Sequence, residues 1–260
     1  MIRGILFDKD GTLVDFFSLW LQAALAVTPA FLEENHIQPD KEMTDYVLRA
    51  MGVENGKVDP RGALAYKSYQ EIAADICLAL EKKGITLEPG RTKEQLERLF
   101  DENVTGKNVS YTQVTDIKKM LRALKEKGIC VGLATADTMR SAKSCLKKLG
   151  TYQEFDYVGA DDGVKRPKPE ADMFLEFQHK FNLKPEEIAV VGDTYNDVVF
   201  ARNNGGIAIG VLSGVSSEED FRGEADYILD SVKDLPGLLE RLPGKATEKR
   251  AYQTRMDKEE

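Results

Sequence analysis

Acidic side chains follow two separate apolar runs of the sequence. Asp8 and Asp10 come directly after the first run, and Asp193 and Asp197 come after a later one. A hydroxyl side chain, Thr135, follows a third run of the same kind. Carboxylates gathered in one cleft repel one another, so a cation must offset their charge. Because an all-oxygen site with room for water suits Mg²⁺, the pattern predicts a magnesium site.

A basic segment supplies a further cation. Lys165, Arg166 and Lys168 lie together before a stretch with helical spacing. A lysine, a threonine hydroxyl and Mg²⁺ together can neutralise and bind a phosphoryl group. One aspartate could then attack phosphorus and form an acyl phosphate. A second carboxylate two residues further on, as Asp10 is from Asp8, could protonate the leaving oxygen and later activate water. The residues therefore predict phosphoryl transfer through an aspartyl-phosphate.

Short strands and helices must bring these residues together. From about residue 110 onward, apolar runs alternate with segments of helical spacing. This alternation is typical of βαβ units in a doubly wound parallel sheet, so the predicted class is α/β with a Rossmann-like core. Ligands of such sheets bind beyond the carboxyl ends of the strands, where the acids and Thr135 fall. The predicted strands are 4–7, 129–134, 157–160, 188–191, 207–211 and, at an edge, 227–229.

The stretch 16–109 has a different character. Its apolar residues have helical spacing, and it contains almost no strand signal. We therefore predict a helical domain of residues 16–109, inserted after the first strand of an α/β core that comprises residues 1–15 and 110–243. Residues 244–260 are charged and nearly free of large apolar side chains, so we expect a mobile tail there.

Four motifs occur in the order that is found in a known family. They are Asp8-x-Asp10-Gly11-Thr12, Thr135 after an apolar strand, Lys168-Pro169 before a helix, and Gly192-Asp193-x-x-x-Asp197. These motifs are similar to those of the haloacid dehalogenase-like hydrolases. The position of the helical insert resembles the capped phosphoglycolate phosphatase-like branch, and segment 192–214 is especially similar to it. The resemblance covers about residues 1–215, and it implies that the insert is a cap domain.

The resemblance implies a role for each acid. Asp8 would be the nucleophile and a metal ligand, and Asp10 would be the general acid and base. Asp10 would also bind Mg²⁺ through its backbone carbonyl, and Asp193 would be a further ligand. Asp197 would support the metal from nearby, although Asp193 and Asp197 could instead cap and begin a helix. Asn196 either supports this site or forms a local hydrogen bond, and the residues leave both open.

The same resemblance implies how the phosphoryl group is held. Thr135 and the backbone N–H of Ala136 would bind its oxygens, and Lys168 would neutralise both the nucleophile and the phosphate. Gly11 would let the backbone approach the phosphate closely. The two neighbouring basic residues compete with Lys168, but the spacing of six residues from Lys168 to Phe174 fits the family and favours Lys168.

Asp10 separates the branches of this family. Haloacid dehalogenases lack an acid at this position because a halide leaves without a proton, whereas phosphatases and phosphomutases have one. The predicted activity is hydrolysis of a small phosphate monoester, phosphoglycolate-like or a sugar phosphate. A sugar phosphomutase is the alternative, because it shares every motif and differs in how the cap holds a bisphosphate. A non-enzymatic phospho-aspartate switch fits less well, since receiver domains carry the acceptor acid mid-chain and have no large insert after the first strand.

Several other residues could contact a substrate. Arg49, Arg61 and Lys67 of the insert could bind an anionic group, although a solvated surface charge is the commoner state of such residues. We interpret Lys9 as non-catalytic, because its backbone matters more than its side chain. Trp20 is interpreted as part of the core of the insert.

The composition excludes several classes of protein. The chain has 260 residues and a net charge of −8, so it has no basic field for nucleic acid or anionic lipid. All apolar runs of the sequence are much shorter than a membrane helix, which needs about 20 residues. Three cysteines without metal-ligand spacing argue against a disulfide framework or a zinc site and favour a reducing compartment. We therefore expect a cytoplasmic enzyme whose partner is a small phosphorylated metabolite, and neither nucleic acid nor a membrane.

Overall fold

The computed structural model of the protein describes residues 1–106 and 109–242, so the predicted tail 244–260 lies outside the described residues. Two groups of strands are present. Two short strands form an antiparallel hairpin, and six form one sheet. In chain order the strands are β1 (Gly4–Phe7), β2 (Val53–Glu54), β3 (Lys57–Val58), β4 (Cys130–Thr138), β5 (Tyr157–Asp161), β6 (Ile188–Gly192), β7 (Ile207–Val211) and β8 (Tyr227–Leu229).

Every neighbouring pair in the six-stranded sheet is parallel. The strand order is β5-β4-β1-β6-β7-β8, so β1 lies between β4 and β6. All the predicted strands are present, including the edge strand β8. β4 ends at Thr138 rather than at residue 134, because its pairing with β5 shifts register after Ala134 and resumes at Thr138.

Helices connect the strands of the sheet and fill the insert. A π-helical turn, Phe17–Leu21, leads directly into the first α-helix. The α-helices are α1 (Gln22–Glu34), α2 (Lys41–Ala50), α3 (Ala63–Tyr66), α4 (Tyr69–Glu81), α5 (Pro89–Thr105), α6 (Ile117–Glu126), α7 (Met139–Lys148), α8 (Asp172–Phe181), α9 (Tyr195–Asn203), α10 (Glu218–Phe221) and α11 (Leu235–Arg241).

Side chains on the central strand point alternately to the two faces of the sheet. Ile5 and Phe7 of β1 join an apolar layer that includes α6, α7 and α11. Leu6, between them, joins a second layer that includes α8, α9 and α10. Helices therefore cover both faces, as in a doubly wound sheet. The predicted α/β fold class is confirmed.

Helices α1 to α5 and the β2-β3 hairpin share an apolar cluster of their own, in which Phe31 and Phe100 are fully buried. The hairpin is a strand element that the sequence analysis missed. Asn55 and Gly56 join its strands, and both have positive φ angles, as a tight two-residue hairpin turn requires. The Asn-Gly pair is the signal that could have revealed it. We refer to residues 16–109 as the insert, and its division from the core at these bounds stays a prediction.

Among residues 1–106 and 109–242, no helix has the length and hydropathy needed to cross a bilayer.

Candidate active site

The central position of β1 brings its carboxyl end beside that of β6. Asp8 follows β1, and its backbone N–H donates a hydrogen bond to the carbonyl of Val191 at 2.8 Å. Asp193 follows β6 directly. One carboxylate oxygen from each of Asp8, Asp193 and Asp197 lies within 4.8 Å of the others. The sheet topology therefore gathers three of the four predicted acids in one cluster, which we call the acid cluster.

The N-terminus of α9 fixes Asp197. Thr194 caps this helix, and its backbone N–H and Oγ1 donate to Asp197 Oδ2 at 3.1 and 2.6 Å. Asp197 is therefore an acid in the first turn of a helix, as one alternative expected, and it is also a member of the acid cluster. Asp193 does not cap the helix. It accepts hydrogen bonds from Thr12 Oγ1 at 3.2 Å and from the backbone N–H of Val215 at 3.0 Å.

Lys168 connects two members of the acid cluster. Its buried Nζ donates to Asp8 Oδ1 at 2.7 Å and to Asp197 Oδ1 at 2.5 Å. Asn196 Nδ2 donates to the backbone carbonyl of Lys168 at 3.1 Å, which ties the lysine segment to α9. The Asn196 side chain therefore donates to the backbone of the lysine segment and so helps to position Lys168.

Burial shifts the pKa values in this cluster. It raises the pKa of Asp8 to about 7, although the Lys168 charge opposes the rise. Burial also raises the pKa of Asp193 well above its ordinary value, and the charges of Asp8 and Asp197 add to this effect. Burial by itself lowers the pKa of Lys168, but the charges of Asp197 and Asp8 outweigh it and raise that pKa. Three carboxylates around one ammonium leave an excess of negative charge, and their oxygens are the donors that Mg²⁺ prefers. The residues present therefore fit Mg²⁺.

A second buried charged group contains Asp10. Lys9 is fully buried, and its Nζ lies 2.7 Å from Asp10 Oδ2 and 2.9 Å from Asp137 Oδ2. Burial raises the pKa of Asp10, and the Lys9 charge opposes this rise. Burial alone lowers the pKa of Lys9, but Asp10 and Asp137 together raise it well above its ordinary value. The Lys9 side chain holds the Asp10 carboxylate in place, a structural contact that the sequence analysis did not assign to it, and its interpretation as non-catalytic stays a prediction.

A cavity of about 60 Å³ lies between this edge of the sheet and the insert. Gly11 and the other two members of the acid cluster, Asp193 and Asp197, are not among its lining residues. The predicted site residues that line the cavity are Asp8, Asp10, Thr135, Ala136, Lys168 and Asn196.

A close contact with Asp193 requires a glycine at position 11. Its φ angle is +83°, in the left-handed region that side chains disfavour. A Cβ atom at this position would lie 2.2 Å from Asp193 Oδ2. The glycine therefore makes room for the Asp193 carboxylate, and the expected close approach of its backbone to phosphate stays a prediction.

The insert contributes residues to the cavity that the sequence analysis did not assign to the site. Of the three basic residues considered, Lys67 lines the cavity, whereas Arg61 lies over the ring of Tyr195, with its Cζ 5.6 Å from the ring centroid. Trp20 belongs to the apolar cluster of the insert, as expected, and it also lines the cavity. The insert-side lining residues are Phe16, Trp20, Leu64, Ala65, Tyr66, Lys67, Tyr69, Ile72 and Phe100.

Comparison with known proteins identifies the family. A family model described as haloacid dehalogenase-like hydrolase matches residues 2–205. The chain belongs to the haloacid dehalogenase-like hydrolases. The resemblance inferred from the four motifs is therefore confirmed.

Relatives of this haloacid dehalogenase-like hydrolase include two proteins that it matches over nearly their whole length. It is 28% identical to a phosphoglycolate phosphatase from Vibrio vulnificus, covering 90% of this chain and 94% of that one. It is 25% identical to the pyrophosphatase PpaX from Bacillus mycoides, covering 94% of this chain and 99% of that one. A crystal structure of a predicted phosphoglycolate phosphatase from Haemophilus somnus superposes with a TM-score of 0.70 at 20% identity, covering 92% and 98% of the two chains. That likeness supports the fold, and the relatives agree with the predicted branch.

The position of Lys168 generates a prediction with a matched control. Lys165, three residues earlier, pairs with Asp162 and Glu176 at the surface and does not line the cavity. We expect Lys168→Ala to reduce kcat by about 10²-fold or more, because it leaves the Asp8 and Asp197 charges uncompensated beside the phosphate. Lys165→Ala should leave kcat within about twofold, since its ion pairs are at the surface. Steady-state assays with p-nitrophenyl phosphate make the comparison. A larger loss of kcat for Lys165→Ala than for Lys168→Ala would show that Lys165, and not Lys168, is the cation of the site.

Proposed function

We propose that this hydrolase is a Mg²⁺-dependent phosphatase that cleaves a small phosphate monoester through an aspartyl-phosphate on Asp8. The observation that carries the proposal is the 2.7 Å contact of Lys168 Nζ with Asp8 Oδ1, in a cavity that Asp10 also lines. A cation on one carboxylate oxygen leaves the other free to attack, and an acid lies close to the leaving group. The family, and relatives that are named as phosphatases, support this class of reaction.

In the first step, a carboxylate oxygen of Asp8 attacks phosphorus, and the bond from phosphorus to the ester oxygen breaks. Asp10 donates its proton to that oxygen, which leaves as an alcohol. Burial favours this role because it raises the pKa of Asp10 and so favours the protonated acid. The Thr135 hydroxyl and the Ala136 N–H would bind the phosphoryl oxygens, and Lys168 would neutralise part of their charge.

In the second step, water attacks the phosphorus of the aspartyl-phosphate. Asp10, now ionised, takes a proton from this water, and the bond between phosphorus and Asp8 breaks. Inorganic phosphate leaves, and Asp8 returns to the carboxylate form. One acid thus serves both steps, because the proton that it gives in the first is replaced in the second.

Asp8, Asp193 and the backbone carbonyl of Asp10 would hold Mg²⁺, with Asp197 nearby. The ion would supply positive charge to the phosphoryl oxygens as the phosphoryl group is transferred. The insert would act as a cap that keeps bulk water from the cavity. A sugar phosphomutase could use the same acids, but its bisphosphate needs a second anion site. Among the cavity-lining residues in the described part of the insert, Lys67 alone is basic, which favours the phosphatase.

Asp8→Asn should abolish steady turnover of p-nitrophenyl phosphate, because an amide does not attack phosphorus. The fold should survive, since the substitution is isosteric, and thermal denaturation checks this. Asp15→Asn is the matched control, because Asp15 lies close in the chain but does not line the cavity. Retention of more than about a tenth of kcat by Asp8→Asn would remove Asp8 from the nucleophile role. A single phosphorylation event in the unchanged protein, without turnover, would instead favour the phospho-aspartate switch.

The variant Asp10→Asn should show whether Asp10 donates a proton or only orients the loop. An alkoxide needs a proton to leave, so transfer from an alkyl phosphate should slow by about 10²–10⁴-fold. The p-nitrophenolate ion needs little protonation, so transfer from p-nitrophenyl phosphate to Asp8 should slow much less. Single-turnover phosphorylation measures both rates. Equal losses with the two substrates would contradict proton donation by Asp10.

Magnesium should raise the melting temperature of the unchanged protein, and Asp193→Asn should remove that shift. Asp162→Asn, at the surface, serves as the control. Burial raises the pKa of Asp8 to about 7, so at acidic pH a proton competes with the ion for this carboxylate. The shift should therefore grow as pH rises through neutrality. Differential scanning fluorimetry measures it, and an undiminished shift in Asp193→Asn would contradict the proposed ligand set.

A further inference from the structure

The two sides of the cavity differ in chemistry. The sheet side contributes Asp8, Asp10 and Lys168 together with hydroxyl and amide groups. The insert side contributes aliphatic and aromatic side chains, among them Ile72 and Phe100. A phosphoryl group has its partners on the sheet side, so the organic part of a substrate must face the insert side. The composition of the insert side therefore bears on the class of substrate.

The apolar part of this insert side is packed in place. The ring of Phe100 packs against those of Trp20 and Tyr69, at centroid distances of 5.8 and 5.7 Å. All three side chains belong to the apolar cluster of the insert and are more than nine-tenths buried. Side chains in a packed core do not rearrange easily to admit a polar group. The surface presented to the substrate is therefore a fixed apolar wall, which we define as Trp20, Leu64, Tyr69, Ile72 and Phe100.

The insert offers little to a charged or polyhydroxylated group. Lys67 is the basic residue among its lining residues, and its Nζ is already 2.6 Å from Asp75 Oδ2. None of the lining residues from the described part of the insert is a carboxylate or an amide, and its other polar groups are the hydroxyls of Tyr66 and Tyr69 and the indole N–H of Trp20. A second anionic group or a ring of hydroxyls would lose its hydration on entering and find few partners there. The wall thus disfavours such substrates.

We propose that the substrate is a phosphate monoester whose organic part is neutral and apolar, an alkyl chain or a hydrocarbon ring that lies against the apolar wall. This inference rests on the proposed phosphatase function and narrows its substrate. It departs from the expectation of a phosphoglycolate-like or sugar phosphate substrate, because phosphoglycolate carries a second anion and a sugar carries several hydroxyls.

A matched pair of substrates tests the inference directly. Cyclohexyl phosphate and a myo-inositol monophosphate share a six-membered carbon ring and differ in their hydroxyl groups. The hydroxyls make inositol the better leaving group, so intrinsic reactivity opposes the expected order. We expect kcat/KM to favour cyclohexyl phosphate by at least about 100-fold, since an apolar pocket discriminates by about this factor against even one added hydroxyl. Propyl phosphate should likewise exceed phosphoglycolate.

Two substitutions in α4 test whether the apolar wall causes the preference. Ile72 lines the cavity, whereas Ile76, one turn further along, is fully buried in the insert and does not line it. Ile72→Thr should lower the cyclohexyl-to-inositol ratio by about tenfold, because the added hydroxyl faces the substrate. Ile76→Thr should leave the ratio unchanged even if it lowers stability more. Thermal denaturation confirms that each variant is folded before the kinetics are compared.

The outcomes separate this inference from the function on which it rests. If the protein turns over p-nitrophenyl phosphate but its kcat/KM for cyclohexyl phosphate is no higher than that for the inositol monophosphate, the inference is overturned. The proposed phosphatase function would then still hold. An equal change of the ratio in Ile72→Thr and Ile76→Thr would also overturn it, because the effect would then not come from the apolar wall. Absence of turnover with p-nitrophenyl phosphate and acetyl phosphate alike would overturn the proposed function, and the inference with it.

Discussion

The pairing of two buried lysines with buried aspartates is the constraint on which the site depends. An unpaired buried charge costs several kcal/mol, so the lysines and the aspartates are buried together or not at all. Each lysine also contacts an aspartate that is distant in the sequence. These contacts therefore hold separate strand ends together at one edge of the sheet. The contacts are those of Lys168 with Asp8 and Asp197 and those of Lys9 with Asp10 and Asp137.

The two lysines place aspartates only two residues apart in different charged groups. Lys168 contacts Asp8 in the acid cluster, whereas Lys9 contacts Asp10 and Asp137. Burial raises the pKa of both Asp8 and Asp10, and in each case the lysine charge opposes the rise. Under the proposed mechanism, Mg²⁺ beside Lys168 would favour the ionised form of Asp8 that attacks phosphorus, whereas burial favours the protonated form of Asp10. Lys9 would then position the acid, and Lys168 would neutralise both the nucleophile and the phosphate.

The sequence predicted those features that depend on local pattern and order. Apolar runs at regular intervals determine the parallel sheet, and the motifs at strand ends determine which acids meet. Lys9 was missed because its second partner, Asp137, is distant in the chain, and no spacing reveals such a contact. The substrate-facing role of Ile72 was missed for another reason. It has the same helical periodicity as Ile76, and periodicity alone does not separate a residue that faces a cavity from one that faces the core.

Trp20 joins the chemistry of the acid to that of the apolar wall. It lies in the π-helical turn Phe17–Leu21, a form of helix that often occurs at functional sites. Its ring centroid is 5.8 Å from Lys9 Nζ, and its indole N–H lies near the Asp10 carboxylate without meeting hydrogen-bond geometry. The indole ring of Trp20 also packs against the ring of Phe100. The wall proposed to face the organic part of a substrate thus adjoins the charged group that holds Asp10. Burial raises the pKa of Asp10, so under the two proposals the same packing of the insert against the sheet edge would favour both an apolar substrate and a protonated acid.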